Sequence, residues 1–170
     1  MTEQRTENIV GALALALSDA LLHGVSLQAP EPGQAAAAIT LLRHEPGMPI
    51  ETLRRALGLS HPGTVRLVDR LAAGGLVERR PSARDGRAVA LYLTESGERS
   101  CTAILATRLE HVTRALAVLN PEERRAFGVL TEKLLASLVR NEEHAYSVCR
   151  LCDPVVCADC PVTGTLRGIV

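Results

Sequence analysis

Leu59-Ser60-His61-Pro62-Gly63-Thr64-Val65-Arg66-Leu67-Val68-Asp69-Arg70-Leu71 opens the stretch, Leu59 to Thr94, whose reading decides the fold. Ser60 has the chemistry of a helix N-cap, and Pro62 falls in the first turn, where its missing N–H costs nothing. Thr64, Leu67, Val68 and Leu71 then recur at helical spacing on one face, leaving Arg66 and Arg70 on the other. Gly74-Gly75 stops the helix. Leu76 to Arg80 reads as a strand and Ala88 to Leu93 as a second. Between them Pro81 to Arg87 forms a turn whose Asp85-Gly86 suits a hairpin tip. Helix, strand, arginine-tipped hairpin, strand: the order describes a surface made for a polyanion.

Outward from there, the 170 residues are enough for one domain with a real core. The apolar residues are mainly Ala, Leu and Val, and Tyr92, Phe127 and Tyr146 are the only aromatics, so the core is expected to be aliphatic and helical. Formal net charge is zero, but it is unevenly spread. From Arg43 to Arg87 nine arginines face five carboxylates, so that segment is basic and the remainder acidic. Lys133 is the only lysine. Arginine's planar fork suits bidentate contact with phosphate and guanine. An arginine-rich source genome explains the chain-wide preference equally well, so only the clustering counts. No run approaches the ~18 apolar residues of a bilayer span, and the polar start, Met1 to Glu7, is wrong for a signal peptide, so a cytoplasmic protein is expected.

Upstream, Glu7 to about Ser26 reads as a broadly apolar helix, Ala29 to Gly33 as a loop, and Gln34 to His44 as a second helix. A short helix from Ile50 to Leu57 and the turn at Gly58 lead into Ser60, which is a helix-turn-helix pattern. Downstream, Thr94 caps a helix from Glu95 to about Leu119. Asn120-Pro121-Glu122-Glu123 then starts one long helix to about Tyr146, with the first helix as its expected partner. There is no glycine-rich phosphate loop, nucleophile elbow or His-x-x-x-His pair, and no enzyme is expected.

Leu57-Gly58-Leu59-Ser60, Thr64 to Leu71 and Gly75-Leu76-Val77-Glu78-Arg79, followed by Asp85-x-Arg87, five residues, Leu93-Thr94 and Gly97, resemble the MarR family of bacterial winged-helix regulators. The resemblance covers about Gln34 to Gly97 at the level of motifs. It implies a mainly α fold with a small β-wing: a winged helix-turn-helix domain (34–97) between an N-terminal dimerisation helix and loop (1–33) and long helices of the dimerisation region (98–146). It further implies a homodimer on palindromic double-stranded DNA, acting as a repressor, with a small-molecule effector between dimer helices and winged domain. Carried onto this chain, the recognition helix is Ser60 to Arg70. Arg87 enters the minor groove, held by Asp85. Candidate DNA contacts are Ser60, His61, Thr64, Val65, Arg66, Arg70, Arg84, Asp85 and Arg87. Arg54 and Arg55 are backbone-positioning or plain surface. His61-Pro62-Gly63 departs from the family's polar helix start, which leaves base readout chiefly to His61, Val65 and Arg66.

Beyond the resemblance, residues 147–170 form a cysteine-rich tail, Cys149-x2-Cys152-x4-Cys157-x2-Cys160-Pro161, while the rest of the chain has only Cys101. Four thiols in one loop match the ligand count of an iron–sulfur cluster, the first reading, or of tetrahedral zinc, the second. Reversible disulfides are a third, a structural staple a fourth, and His144 is a spare ligand or an ordinary helix-end residue. Placed after the dimerisation helix, such a centre would sense redox or metal state by altering the dimer angle. The alternative function is an iron–sulfur electron-transfer protein that uses its winged helix for protein contacts.

Overall fold

The structure, a computed structural model, describes residues 2–28, 34–82, 88–157 and 160–167. Eight helices and three short strands are present among them: α1 (Glu3–Gln28), α2 (Ala35–His44), β1 (Met48–Pro49), α3 (Ile50–Leu57), α4 (His61–Ala73), β2 (Val77–Pro81), β3 (Val89–Leu93), α5 (Glu95–Leu116), α6 (Pro121–Leu138), α7 (Glu142–Cys149) and α8 (Pro161–Arg167).

The core forms around α2. Its alanines let neighbouring helices approach closely, and every residue from Ala35 to Leu42 is buried. Leu53 of α3, Val68 and Leu71 of α4, Leu91 of β3 and Ile104 of α5 close on it, each fully buried. At about 25 cal/mol per Å2 of apolar surface removed from water, this aliphatic cluster is the main stabilising term. The strands make one antiparallel sheet in the order β1-β3-β2, with Val77 opposite Leu93 and Pro81 opposite Val89. The two-residue β1, paired through Met48 to Leu91, is absent from the sequence reading, which made Pro46-Gly47 a simple stop.

Two glycines are required by geometry. Gly58 ends α3 at φ +64°, a left-handed conformation that lets the chain turn at once into α4. At Gly97 a Cβ would stand 2.1 Å from the Leu76 carbonyl oxygen, so only hydrogen allows the first turn of α5 to press against the end of α4. Thr94 completes that junction. Its hydroxyl donates to the Gly75 carbonyl at 2.6 Å and accepts from the Gly97 N–H at 3.1 Å, while its own N–H donates to the Leu76 carbonyl at 3.0 Å.

Three expectations are corrected. The long last helix breaks at Val139–Asn141, where Val139 turns into the interior and the Asn141 side chain accepts from the His144 N–H to cap a new helix, α7. The main neighbour of α6 in the protomer is α8, while α1 packs along α5. And α1, with 26 residues, is long and apolar enough by length and composition to cross a membrane, contrary to the expectation that no run approaches that length. Most of its side chains are exposed; Gly24 and Val25 are buried. Asn120 and Glu123 form the reciprocal capping box at the start of α6 that their spacing predicts.

Candidate nucleic-acid interface and cysteine loop

The helix-turn-helix is assembled by local chemistry. Ser60 stands in extended conformation and its Oγ accepts from the Gly63 N–H at 3.2 Å, fixing the first turn of α4 with Pro62 inside it. Arg54 holds the preceding turn. Its guanidinium lies on both Glu51 carboxylate oxygens, at 2.7 to 3.0 Å, and reaches the Leu59 carbonyl at 3.3 Å. The hydrogen bond from Arg54 keeps the Glu51 carboxyl below its ordinary value. Arg54 thus braces the turn, while Arg55 pairs with Glu143 of α7 at 2.8 Å.

α4 divides cleanly. Leu67, Val68 and Leu71 face the core, and Ser60, His61, Arg66, Asp69 and Arg70 are exposed, with Val65 half-buried between them. Thr64 is corrected: it is fully buried, and its hydroxyl donates to the Ser60 carbonyl at 3.1 Å, so the helix places it away from any DNA. The same i, i+3, i+4 spacing that put Thr64 beside Leu67 and Val68 already carried this signal. Arg66 makes no ion pair or hydrogen bond among the described residues. Asp69 is bound by Arg79 of β2 at 2.6 Å, a contact that ties the helix to the wing and that sequence spacing does not show. On the same strand Arg80 pairs with Glu78 and lies over the Tyr92 ring, 4.9 Å from its centre. Ser82 N–H donates to the Ala88 carbonyl across the wing base at 2.8 Å; Arg84, Asp85 and Arg87 lie outside the described residues.

The cysteine loop folds back onto the domain. α7 carries Cys149 as its last residue, and Cys152 N–H donates to the Cys149 carbonyl at 2.9 Å. The Asp153 side chain accepts from the Val155 N–H to turn the chain at Pro154. Cys160 precedes α8, whose Val162 is buried with Val139 and Ala145 in a small second core that also touches Cys149 and Cys160. The four thiols are free and half-buried. They stand as two pairs. Cys149 donates to the Cys152 sulfur, which raises the Cys149 thiol and helps hold Cys152 down at about 6, with Arg108 and His44 adding positive charge beside it. Burial and donation to Cys160 push Cys157 up to about 11. Burial alone would raise Cys160, but N–H donation from Thr163 and the Cys157 thiol outweigh it and lower the group. The pairs are close enough for Cys149 to feel the charge of both Cys157 and Cys160.

Among the described residues no three His, Cys, Asp or Glu side chains already form a group ready to hold a metal ion. The chemistry of the donor set nevertheless fits one. It offers four sulfurs in mutual electrostatic reach, two of them with lowered pKa, and cations at hand to balance thiolate charge. A metal or cluster would require the two pairs to draw together. The Nδ1 of His144 is buried without a hydrogen-bond partner. Sequence reasoning missed His44 and Arg108, because nothing local connects them to cysteines so distant in the chain. Arg108, Arg43, Leu105 and Leu109 line a cavity of about 380 Å3 against Cys152 and Cys157.

Residues 23–88 match the model of the MarR family. The chain is 32% identical over 100 residues to the HTH-type transcriptional regulator Mb0904 of Mycobacterium bovis, covering 59% of this chain and 70% of that one. It is 32% identical over 88 residues to the transcriptional repressor MprA of Escherichia coli, covering 52% and 50% respectively. The chain therefore spans about half the length of some of the curated relatives it matches. Among solved structures, a MarR family protein from Bacillus stearothermophilus superposes with a TM-score of 0.66 at 25% identity, covering 79% of this chain and 96% of that one.

Proposed function

Since the chain belongs to the MarR family of winged-helix transcriptional regulators, we propose that it binds double-stranded DNA as a homodimeric repressor on a palindromic operator. The observation that carries this reading is α4, which buries Thr64, Leu67, Val68 and Leu71 and leaves His61, Arg66 and Arg70 outside. A helix anchored by one face and cationic on the other fits a major groove, where arginine takes guanine bidentately. In the same reading Arg87 would enter the adjacent minor groove, oriented by Asp85, and Arg84 would contact phosphate. Ser60 and His61 reach phosphate or base edges at the helix start, and Val65 offers an apolar contact to a thymine methyl.

Dimerisation is supported by apolar side chains left in water by a single chain: Val10, Leu13 and Leu15 on α1, and Val129, Leu130 and Leu134 on α6. Surfaces of this kind mark protein association. In this reading a partner chain, rather than lipid, covers α1, and the protein works in the cytoplasm where its DNA is.

The loop of Cys149, Cys152, Cys157 and Cys160 is proposed as a centre for an iron–sulfur cluster or zinc. The bound group would supply a redox- or metal-dependent cross-link between the two thiol pairs. Arg108 and His44 would balance its thiolate charge.

Two measurements test the reading. Anisotropy titrations of selected palindromic DNA should weaken steeply with salt. Arg66→Ala should cost about 1–3 kcal/mol of binding, since the wild-type side chain is outward and has no partner among the described residues. Metal and sulfide analysis of protein purified without air should find a bound group; a chromophore without any salt-dependent DNA binding would instead support the electron-transfer reading.

A further inference from the structure

The cysteine loop is held to its own winged-helix domain by contacts that have no part in DNA reading. Tyr146 Oη donates to Glu45 Oε2 at 2.5 Å, just past the end of α2. His44 Nε2 donates to the Cys152 carbonyl at 2.6 Å. Arg55 of α3 meets Glu143 at 2.8 Å, and Leu151 packs against the main core. One short segment, Glu143 to Cys152, therefore grips the last turn of α2 and the first helix of the helix-turn-helix. The other thiol pair is mounted chiefly on the α6 side, although α8 also meets α7 where Val162 packs with Ala145. Cys160 leads directly into α8, which packs on α6, the helix with the exposed apolar face.

We infer that the two thiol pairs are the two jaws of a clip within one protomer, so that closing them on one metal centre locks the α6–α8 unit to the α2–α3 end of the winged helix. This rests on the metal reading proposed above and changes where its signal goes. The signal passes in cis through Glu143 and Tyr146, directly to the elements that carry α4, and needs no prior change of the dimer angle. A metal that binds the closed arrangement better than the open one shifts the population toward it, by no more than its difference in affinity for the two.

The inference predicts separable effects on metal binding and on its consequence. Full-length protein is prepared metal-free, and DNA affinity is measured with and without added Zn2+, and again after reconstitution with ferrous iron and sulfide. In the wild type, loading should change DNA affinity by about 5- to 150-fold, the usual range for coupled sites. Glu143→Gln with Tyr146→Phe breaks the ion pair to Arg55 and the hydrogen bond to Glu45, and it removes no thiol and neither of the positive groups beside Cys152. That variant should bind the same metal content and retain the metal-free DNA affinity, yet respond to loading less than about twofold, well under that coupling range. Tyr146→Phe alone, which deletes one oxygen, should give an intermediate response and guards against a folding defect in the double variant. If the wild type takes up no metal, the metal reading fails and the clip with it. If metal binds and the double variant responds as the wild type does, or the wild type does not respond, the clip alone is overturned.

Discussion

α2 and α6 are both apolar helices, yet they stand at opposite extremes. α2 buries eight of its ten residues, whereas none of the eighteen in α6 is buried. Their composition differs in kind as well as in surroundings. α2 begins with four successive alanines that let backbones come close, while α6 presents Val129, Leu130, Leu134 and Leu138 outward from a charged frame of Glu122, Arg124, Arg125, Glu132 and Lys133. The difference teaches which surface the chain completes by itself and which it leaves exposed.

The largest expected effect lies on the completed side. Leu41→Ala should lower unfolding stability by about 2–5 kcal/mol, because the fully enclosed site cannot collapse around the cavity. Chemical denaturation reads it, and a loss under about 1 kcal/mol would mean that α2 is less enclosed than its burial states. On the open side, Leu130→Asp with Leu134→Asp should leave the fold intact and convert dimer to monomer in analytical ultracentrifugation. Burying two unpaired carboxylates in an interface costs at least several kcal/mol, so a persistent dimer would move the interface away from α6. α4 stands between these cases. Ser60→Ala, which removes one cap from a helix otherwise held by its buried face, should cost about 1 kcal/mol.

The smallest effect is a pH dependence at Glu51. Its carboxyl is held below the ordinary value by Arg54, so the stabilisation is fully present above the unfolded carboxylate pKa and fades as pH falls through the lowered one. Comparing denaturation of wild type and Glu51→Gln at neutral pH and below about pH 4 should show the difference shrinking in acid. A difference that grows in acid would contradict the Arg54 pairing.

How much of this was legible in the chain follows the range of the forces. Ser60, Thr94 and Asn120 are caps that read correctly because a cap acts within three residues. The buried stripe of α4 and the β2–β3 hairpin read correctly because their periods are local. The break at Val139–Asn141 is invisible locally because neither glycine nor proline follows Leu138 before Tyr146, and only the burial of Val139 against Ala145 and Val162 explains the turn. α8 was missed for a similar reason: Pro161 is a good first-turn residue, but Gly164 in the middle of so short a segment weakens any helical pattern. Thr64 was assigned to two faces at once, and three-dimensional packing chose the inner one. Of the cysteine loop, the ligand set could be proposed from spacing, but the attachment through His44, Glu45 and Arg108 could not. Those contacts bridge up to 108 positions of sequence and leave no periodic trace.

The junction at Thr94 and Gly97 has a mechanical consequence. The end of α4, the return of the wing and the start of α5 are fastened there within a few hydrogen bonds, with no Cβ at Gly97 to hold them apart. α5 continues from that knot for 22 residues, roughly 33 Å at 1.5 Å per residue. Bolted at one end to the reading head and flanked along its length by α1, it behaves as the arm of a lever. A tilt of about 5° about one end would carry the other through roughly 3 Å, for an arm of that length, so modest movements among the outer helices arrive at α4 undiminished.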